Sequence, residues 1–153
     1  MQLFPWFKKK DFFSQKQKDR IVHAIKDAEL QTSGEIRLFV ESKCTFIDPV
    51  DRAVEIFGSL KMEETELRNA VLIYIALKDR QLALYGDAGI HERTGDEFWK
   101  NAVEQILFHF NKENYVDGIC HIIKKLGDTL HQHFPYNRDT DKNELPDDIV
   151  FGK

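Results

Sequence analysis

Arg68 and Asn69 stand just before one apolar run, residues 70–77, and Asp87 stands just after a second, residues 82–85. Lys78-Asp79-Arg80 separates the two runs. Two short apolar runs joined by a polar turn read as a β-hairpin, and a hairpin returns its far end to its beginning. Arg68, Asn69 and Asp87 are therefore expected side by side. Glu35, Asn69, Asp87 and Glu92 offer carboxylate and amide oxygens, the hard donors that suit Ca²⁺ or Mg²⁺. No EF-hand spacing accompanies them. The bland alternative is that Asp87 caps a turn, Asn69 makes an Asx turn and Glu35 faces solvent. His91 directly follows Gly86-Asp87-Ala88-Gly89-Ile90 and is the histidine placed to join this cluster. The other histidines read as solvated or capping groups.

The other routes to chemistry are absent. Neither Cys44 nor Cys120 is followed by an arginine six residues on, so there is no cysteine-phosphatase loop. There is no G-x-S-x-G elbow and no glycine-rich P-loop. Asp139-Thr140-Asp141 lies in a polar tail rather than after a buried strand. Water activated by a metal or a carboxylate is the hydrolytic route that remains.

The elements that position the cluster follow from periodicity. Ser14 and Gln17 form a capping box ahead of a helix over residues 15–31. Residues 35–41 alternate as a strand. Asp48-Pro49 starts a second helix, which ends at Gly58. The hairpin follows. Residues 95–110 and 115–133 carry apolar stripes of helical period, and Phe134-Pro135 stops the last helix. The order α-β-α-β-β-α-α makes the first two strands parallel and the third antiparallel to the second. The fold class is α/β: a small mixed sheet covered by helices on both faces.

This topology sorts the polar groups. Glu35, Arg68, Asn69, Asp87, His91 and Glu92 gather at one end of the sheet. Asp79, at the hairpin tip, lies roughly 23 Å away at about 3.3 Å per strand residue. The opposite end, with Glu41-Ser42-Lys43 and Asp79-Arg80, is the competing location, because open α/β sheets bind ligands at the carboxyl ends of parallel strands.

With 153 residues, 42% apolar and 31% charged, the chain reads as one soluble domain. Its organisation is a tail over residues 1–13, a domain over 14–135 and an extended strap over 136–153. A net charge of −4 gives no reason to expect nucleic acid. No stretch approaches the 20 or so apolar residues of a membrane span, so the chain is not expected to be an integral membrane protein. The N-terminus carries its lysines after its apolar residues, unlike a signal peptide. The two cysteines have no motif spacing and fit a reducing compartment. The expected location is the cytoplasm, with Trp6, Phe7 and Lys8–Lys10 able to touch the inner membrane or a partner.

Several of these motifs together resemble the TPM domain family. They are Ser33-Gly34-Glu35-Ile36-Arg37, Thr65 with Arg68-Asn69 before Val71-Leu72-Ile73-Tyr74, Asp79-Arg80, Gly86-Asp87-Ala88-Gly89-Ile90, Phe98-Trp99, His133-Phe134-Pro135 and Asn143-Glu144-Leu145-Pro146-Asp147. The resemblance covers roughly residues 14–150. It implies a three-layer α/β/α sandwich and a bacterial source. It also implies an acidic cleft that takes a divalent cation, and at most weak acid-phosphatase-like hydrolysis of phosphomonoesters. On that reading Glu35, Asn69, Asp87 and Glu92 hold the metal, Arg68 steers a phosphorylated ligand and His91 is the acid/base. Many phosphatase-like members have an acid where Arg68 stands and Glu where His91 stands; both departures lower the local negative charge. The alternative function is a non-enzymatic accessory module that docks on a protein partner at a membrane complex.

Overall fold

The computed structural model describes residues 12–111, 115–136 and 148–152. Helix α1 spans Gln15–Glu29. Its capping box is formed: the Gln17 amide donates to Ser14 Oγ at 3.1 Å, and the Ser14 amide donates to Gln17 Oε1 at 2.9 Å. It ends two residues short of the expected boundary, which leaves Leu30 at 69% exposure rather than in the buried stripe of Ile21, Ile25 and Ala28. Strand β1 is Glu35–Glu41, and helix α2 is Pro49–Ser59, capped by Asp48 with proline in its first turn. The hairpin is β2 (Ala70–Ala76) and β3 (Gln81–Gly86). Helix α3 covers Ala88–Asn111 and α4 covers Tyr115–His133.

β1 and β2 run parallel, with Glu35 opposite Ala70, and β2 and β3 run antiparallel, with Val71 opposite Gly86. A short fourth strand, β4 (Val150–Phe151), pairs parallel with β1 and gives the order β3-β2-β1-β4. The sequence predicts an extended strap there and no strand. Two residues are too few to show a strand period, and it is the open edge of β1 that makes them one. Residues 137–147 and 153 of the strap lie outside the described residues, as does the Trp6/Phe7 terminus. Phe13 is buried in the core and Phe12 stacks on Phe151 with ring centroids 6.0 Å apart.

Strand alternation divides the core. Ile36, Leu38, Val40, Val71, Ile73, Ile75, Leu82 and Leu84 face α1, α3 and α4. Phe39, Leu72, Tyr74 and Ala83 face α2 and the residues after it, through Ala53, Ile56, Phe57 and Met62. The result is helices on both faces of a small mixed sheet, as the sequence order required.

The largest departure is at α3, which was expected from Gly95. Gly95 does break the helix, at φ 77°, ψ 171°. A helical segment precedes it because Asp87 starts one: the Ala88 amide donates to Asp87 Oδ1 at 2.7 Å, and the Ile90 and His91 amides donate to the Asp87 carbonyl. Gly89 allows this segment to lie against the loop before β2. Its amide donates to the Arg68 carbonyl at 2.8 Å, and a Cβ there would fall 2.1 Å from the Leu67 carbonyl oxygen. Gly89→Ala is expected to destabilise the fold by about 2 kcal/mol or more, because backbone is on both sides of the clash. Gly58→Ala, in exposed helix with nothing within 4 Å of the new Cβ, is expected to stabilise by about 0.5–1 kcal/mol. Urea unfolding of the two variants reads both signs.

Candidate functional site

Glu35, Ala70 and Asp87 lie in one row across the end of the sheet. Glu35 is opposite Ala70, and the Asp87 amide donates to the Ala70 carbonyl at 2.9 Å. Glu35 and Asp87 are therefore two strand spacings apart, about 10 Å between backbones, with the Ala70 methyl between them. Both are buried, at 3% exposure. Asn69 is buried beside them; its carbonyl accepts from the Glu35 amide at 3.4 Å, and its side-chain amide donates to Ser33 Oγ at 3.3 Å.

Asp87 is held by its neighbours. Arg68 Nε donates to Oδ2 at 2.6 Å and Nη2 to Oδ1 at 2.8 Å, a two-pronged fork that matches the carboxylate plane. The Asp87 side chain is 4% exposed and that of Arg68 52%, so the guanidinium lies at the boundary with water. Asp87's hydrogen bond and charge raise Arg68's pKa above its ordinary value. Arg68 has φ +53°, a left-handed conformation that favours glycine or asparagine. The fork and the Gly89 contact are what hold it there.

Three buried polar atoms toward this end of the sheet have no hydrogen-bond partner among the described residues: Asn69 Oδ1, Thr65 Oγ1 and Arg37 Nε. Arg37 is on the same face of β1 as Glu35 and is 8% exposed. Burial lowers its pKa, against the opposing charges of Asp148 and Glu29. Sequence reasoning passed over Arg37 and Thr65 as candidates. The available signal for Arg37 was an arginine inside an apolar strand, in period two with Glu35 and Glu41.

A cleft of about 470 Å³ opens beside the Arg68–Asp87 pair. His91, Asp96, Tyr85, Val50 and Trp99 line it as well. Trp99 Nε1 is buried without a hydrogen-bond partner among the described residues. His91 Nε2 is 3.2 Å from Asp96 Oδ1, across the break at Gly95. The fold thus brings Arg68, Asp87 and His91 to one cleft and Glu35 with Asn69 to the adjoining sheet end, while Glu92 is exposed on the first segment of α3. Gly86 and Gly89 serve the protein's own packing: a Cβ at Gly86 would fall 2.4 Å from the Trp99 ring.

The opposite end of the sheet is closed by its own side chains. Glu41 accepts from Arg52 Nε and Nη2, both at 2.9 Å, and from the Tyr74 hydroxyl. Burial pushes the Glu41 carboxyl up, but the hydrogen bonds from Arg52 and Tyr74 outweigh it and hold its pKa below the usual carboxylate range. Asp79 accepts from the Cys44 amide at 2.8 Å. Cys44 and Cys120 are free thiols. Among the described residues no three His, Cys, Asp or Glu side chains converge as a metal-ligand group, and no helix is long and apolar enough to cross a membrane.

A two-layered helix cover on a mixed sheet, with this row of polar residues at the start of β1 and β2, defines a TPM domain. Residues 7–129 match that family, and the chain belongs to it. It is similar to the BA42 protein of the psychrophilic bacterium Bizionia argentinensis, at 41% identity, 95% coverage of this chain, 99% of that one and a TM-score of 0.86. Two more distant structures share the fold. One is the N-terminal domain of cg2496 from Corynebacterium glutamicum, at 15% identity, covering 84% of this chain and 85% of that one with a TM-score of 0.62. The other is the N-terminal domain of a protein from P. gingivalis, at 14% identity, 82% and 83% coverage and a TM-score of 0.65. No curated protein matches this chain.

Two stability predictions follow from the pairs at the two ends. Arg68→Ala removes the fork and keeps a Cβ at positive φ, whereas Arg68→Gly removes the fork but relieves that strain. Arg68→Ala should lower the urea midpoint, and Arg68→Gly should sit above Arg68→Ala. Glu41 has a depressed folded-state pKa, so its stabilisation is complete above the unfolded carboxyl value, near 4.3, and is lost as pH falls through the folded value. Glu41→Gln should be less stable than the parent at neutral pH, and the gap should narrow in acid; an equal gap from pH 7 to pH 3 would contradict the pairing.

Proposed function

We propose that this TPM domain is a ligand-binding module whose cleft at the Glu35/Asn69/Asp87 end takes a hard divalent cation, Ca²⁺ or Mg²⁺, together with a phosphoryl group. The observation that carries this reading is Asn69 Oδ1, a buried amide oxygen with no donor among the described residues, on a residue whose backbone bonds to that of buried Glu35. Buried polar atoms are nearly always satisfied, and an amide oxygen next to a carboxylate is a donor set a hard cation completes. Thr65 Oγ1 is orphaned in the loop that leads to Asn69. At the opposite end Gln81 Oε1 is likewise buried without a partner among the described residues, but the carboxylate in its row, Glu41, is already held by Arg52 and Tyr74, which favours the Glu35 end. Bound cation would supply charge to a phosphoryl oxygen; Glu92, on the first segment of α3, is the outermost of the proposed ligands.

Asp87 enters such a site only by exchange. Its oxygens accept from Arg68 and from the Ala88 amide. A cation at Asp87 competes with the guanidinium, and the released fork matches a phosphate as well as a carboxylate. Cation and phosphate binding are then mutually favourable. His91, half-exposed at the cleft wall, is the group placed to pass a proton to a leaving oxygen, so that any hydrolysis is slow phosphomonoester cleavage by water.

A second reading, a docking module for a protein partner, has its own observation. Val50 and Val54 are exposed one turn apart on α2, at 42% and 43%, Ile47 is exposed at 101% just before the helix cap, and Val50 lines the cleft beside the outer strand β3.

Titration of the metal-stripped full chain with Ca²⁺ and Mg²⁺, followed by amide NMR, tests the first reading. Shifts should concentrate at residues 34–36, 65–69 and 86–92, and Asp87→Ala should abolish the cation-induced rise in Tm. Inorganic phosphate should then move the Arg68 Nε resonance more in the presence of cation than without it. No response at millimolar ion, or shifts at residues 41–43 and 79–80, would overturn it.

A further inference from the structure

Away from that cleft, on the outer side of the α3–α4 pair, His109 and His121 face each other with ring centroids 5.8 Å apart. They sit in an open cleft of about 480 Å³ that Gln105, Lys125, Glu104 and Phe108 also line. The two helices run antiparallel here, and the contacts show their register. His109 meets His121, and one turn along Lys125 Nζ donates to Gln105 Oε1 at 3.1 Å. Gln105 and His109 are an i,i+4 pair on α3, and His121 and Lys125 are an i,i+4 pair on α4, so each pair shares one helix face. Gly118, one turn before His121, lets the helices close at this level: a Cβ on it would fall 2.7 Å from His109 Cβ. Behind the histidines, Ile106 and Ile122 are buried in the core at 1% and 0% exposure. Both imidazoles therefore stand on rigid, packed helix backbones rather than on loops.

We propose that His109 and His121 form a binding site for one borderline divalent transition metal ion, Zn²⁺ or a close relative such as Ni²⁺ or Cu²⁺, bridging α3 and α4. The spacing fits. With metal–nitrogen bonds of about 2.0–2.1 Å, two imidazoles on one tetrahedral ion have ring centroids about 5 Å apart. The observed 5.8 Å closes to that by small χ rotations of side chains that border an open cleft. The chemistry selects the ion: neutral imidazole nitrogens suit Zn²⁺, Ni²⁺ and Cu²⁺, whereas Ca²⁺ and Mg²⁺ require oxygen donors. Water completes the coordination, and Gln105 Oε1 is the protein oxygen nearest in register. Lys125 opposes binding, because its ammonium holds that oxygen and adds positive charge one turn from the ion. The ion would staple the second half of α3 to α4. This proposal does not rest on the cation reading of the sheet-end cleft, and the two sites differ in the ions they accept.

Zn²⁺ titration of the full chain by calorimetry, with Ni²⁺ broadening of amide NMR signals as the locator, tests it. Expected are one saturable Zn²⁺ site that Ca²⁺ and Mg²⁺ do not displace, and Ni²⁺ broadening centred on residues 105–109 and 118–125. His109→Asn and His121→Asn should each weaken binding more than tenfold, and Lys125→Met should tighten it. These are surface positions, and a retained NMR spectrum confirms that the variants fold. Binding unchanged in both histidine variants, or broadening confined to the neighbourhood of His131 and His133, would overturn the proposal.

Discussion

Strand β2 is the constraint from which the rest of the structure follows. All of Ala70–Ala76 is buried, with 0% exposure at every residue, including Tyr74. A strand in this position is walled by β1 and β3 at its edges and by helices on both faces, so its backbone groups have only the ladder to satisfy them. No charged side chain stands along its length, and its one polar side chain, Tyr74, is bonded to Glu41. Arg37 apart, the charged side chains of the three long strands stand at the two ends of the sheet, and each end has a carboxylate matched by an arginine.

At one end Arg52 and Tyr74 satisfy Glu41, which burial would otherwise neutralise. At the other, Arg68 satisfies Asp87. The two pairs differ in where the arginine stands. Arg52 is 24% exposed and also bridges to Glu55, so that its fork belongs to a network. Arg68 is half in water and held in a left-handed backbone conformation. A charge pair with one partner hydrated is the easier to open, since the departing guanidinium keeps most of its solvation. The asymmetry separates an end that is structurally closed from one whose pairing can be exchanged.

The resemblance to the TPM family was carried by short motifs, and the structure gives several of them packing roles. Gly86 makes room for the Trp99 ring, and Gly89 makes room for the Leu67 and Arg68 carbonyls. Asp87 starts α3 as well as binding Arg68. A motif read only as a ligand site would miss that these residues join the hairpin to the loop before it and the helix after it. Their double use explains why the cleft lies where three elements meet and not on any one of them.

The sequence by itself determined the elements, their order, and therefore which residues share an end of the sheet. Apolar period two in β1, apolar runs in β2 and β3 and helical stripes in α1, α2 and α4 are local signals, and parallel pairing of β1 with β2 follows from connectivity. Cap chemistry located the starts of α1 and α2 to the residue. What only tertiary structure decided was partnership. Arg68 was expected near Asp87, but that the arginine would take both carboxylate oxygens depends on backbone angles at residue 68 and on the Gly89 contact, neither of which has a periodic signature. β4 exists because β1 has a free edge. The orphaned oxygens of Asn69 and Thr65, and the meeting of His109 with His121, arise from residues distant in the chain brought together by packing, and short-range patterns carry no record of such distances.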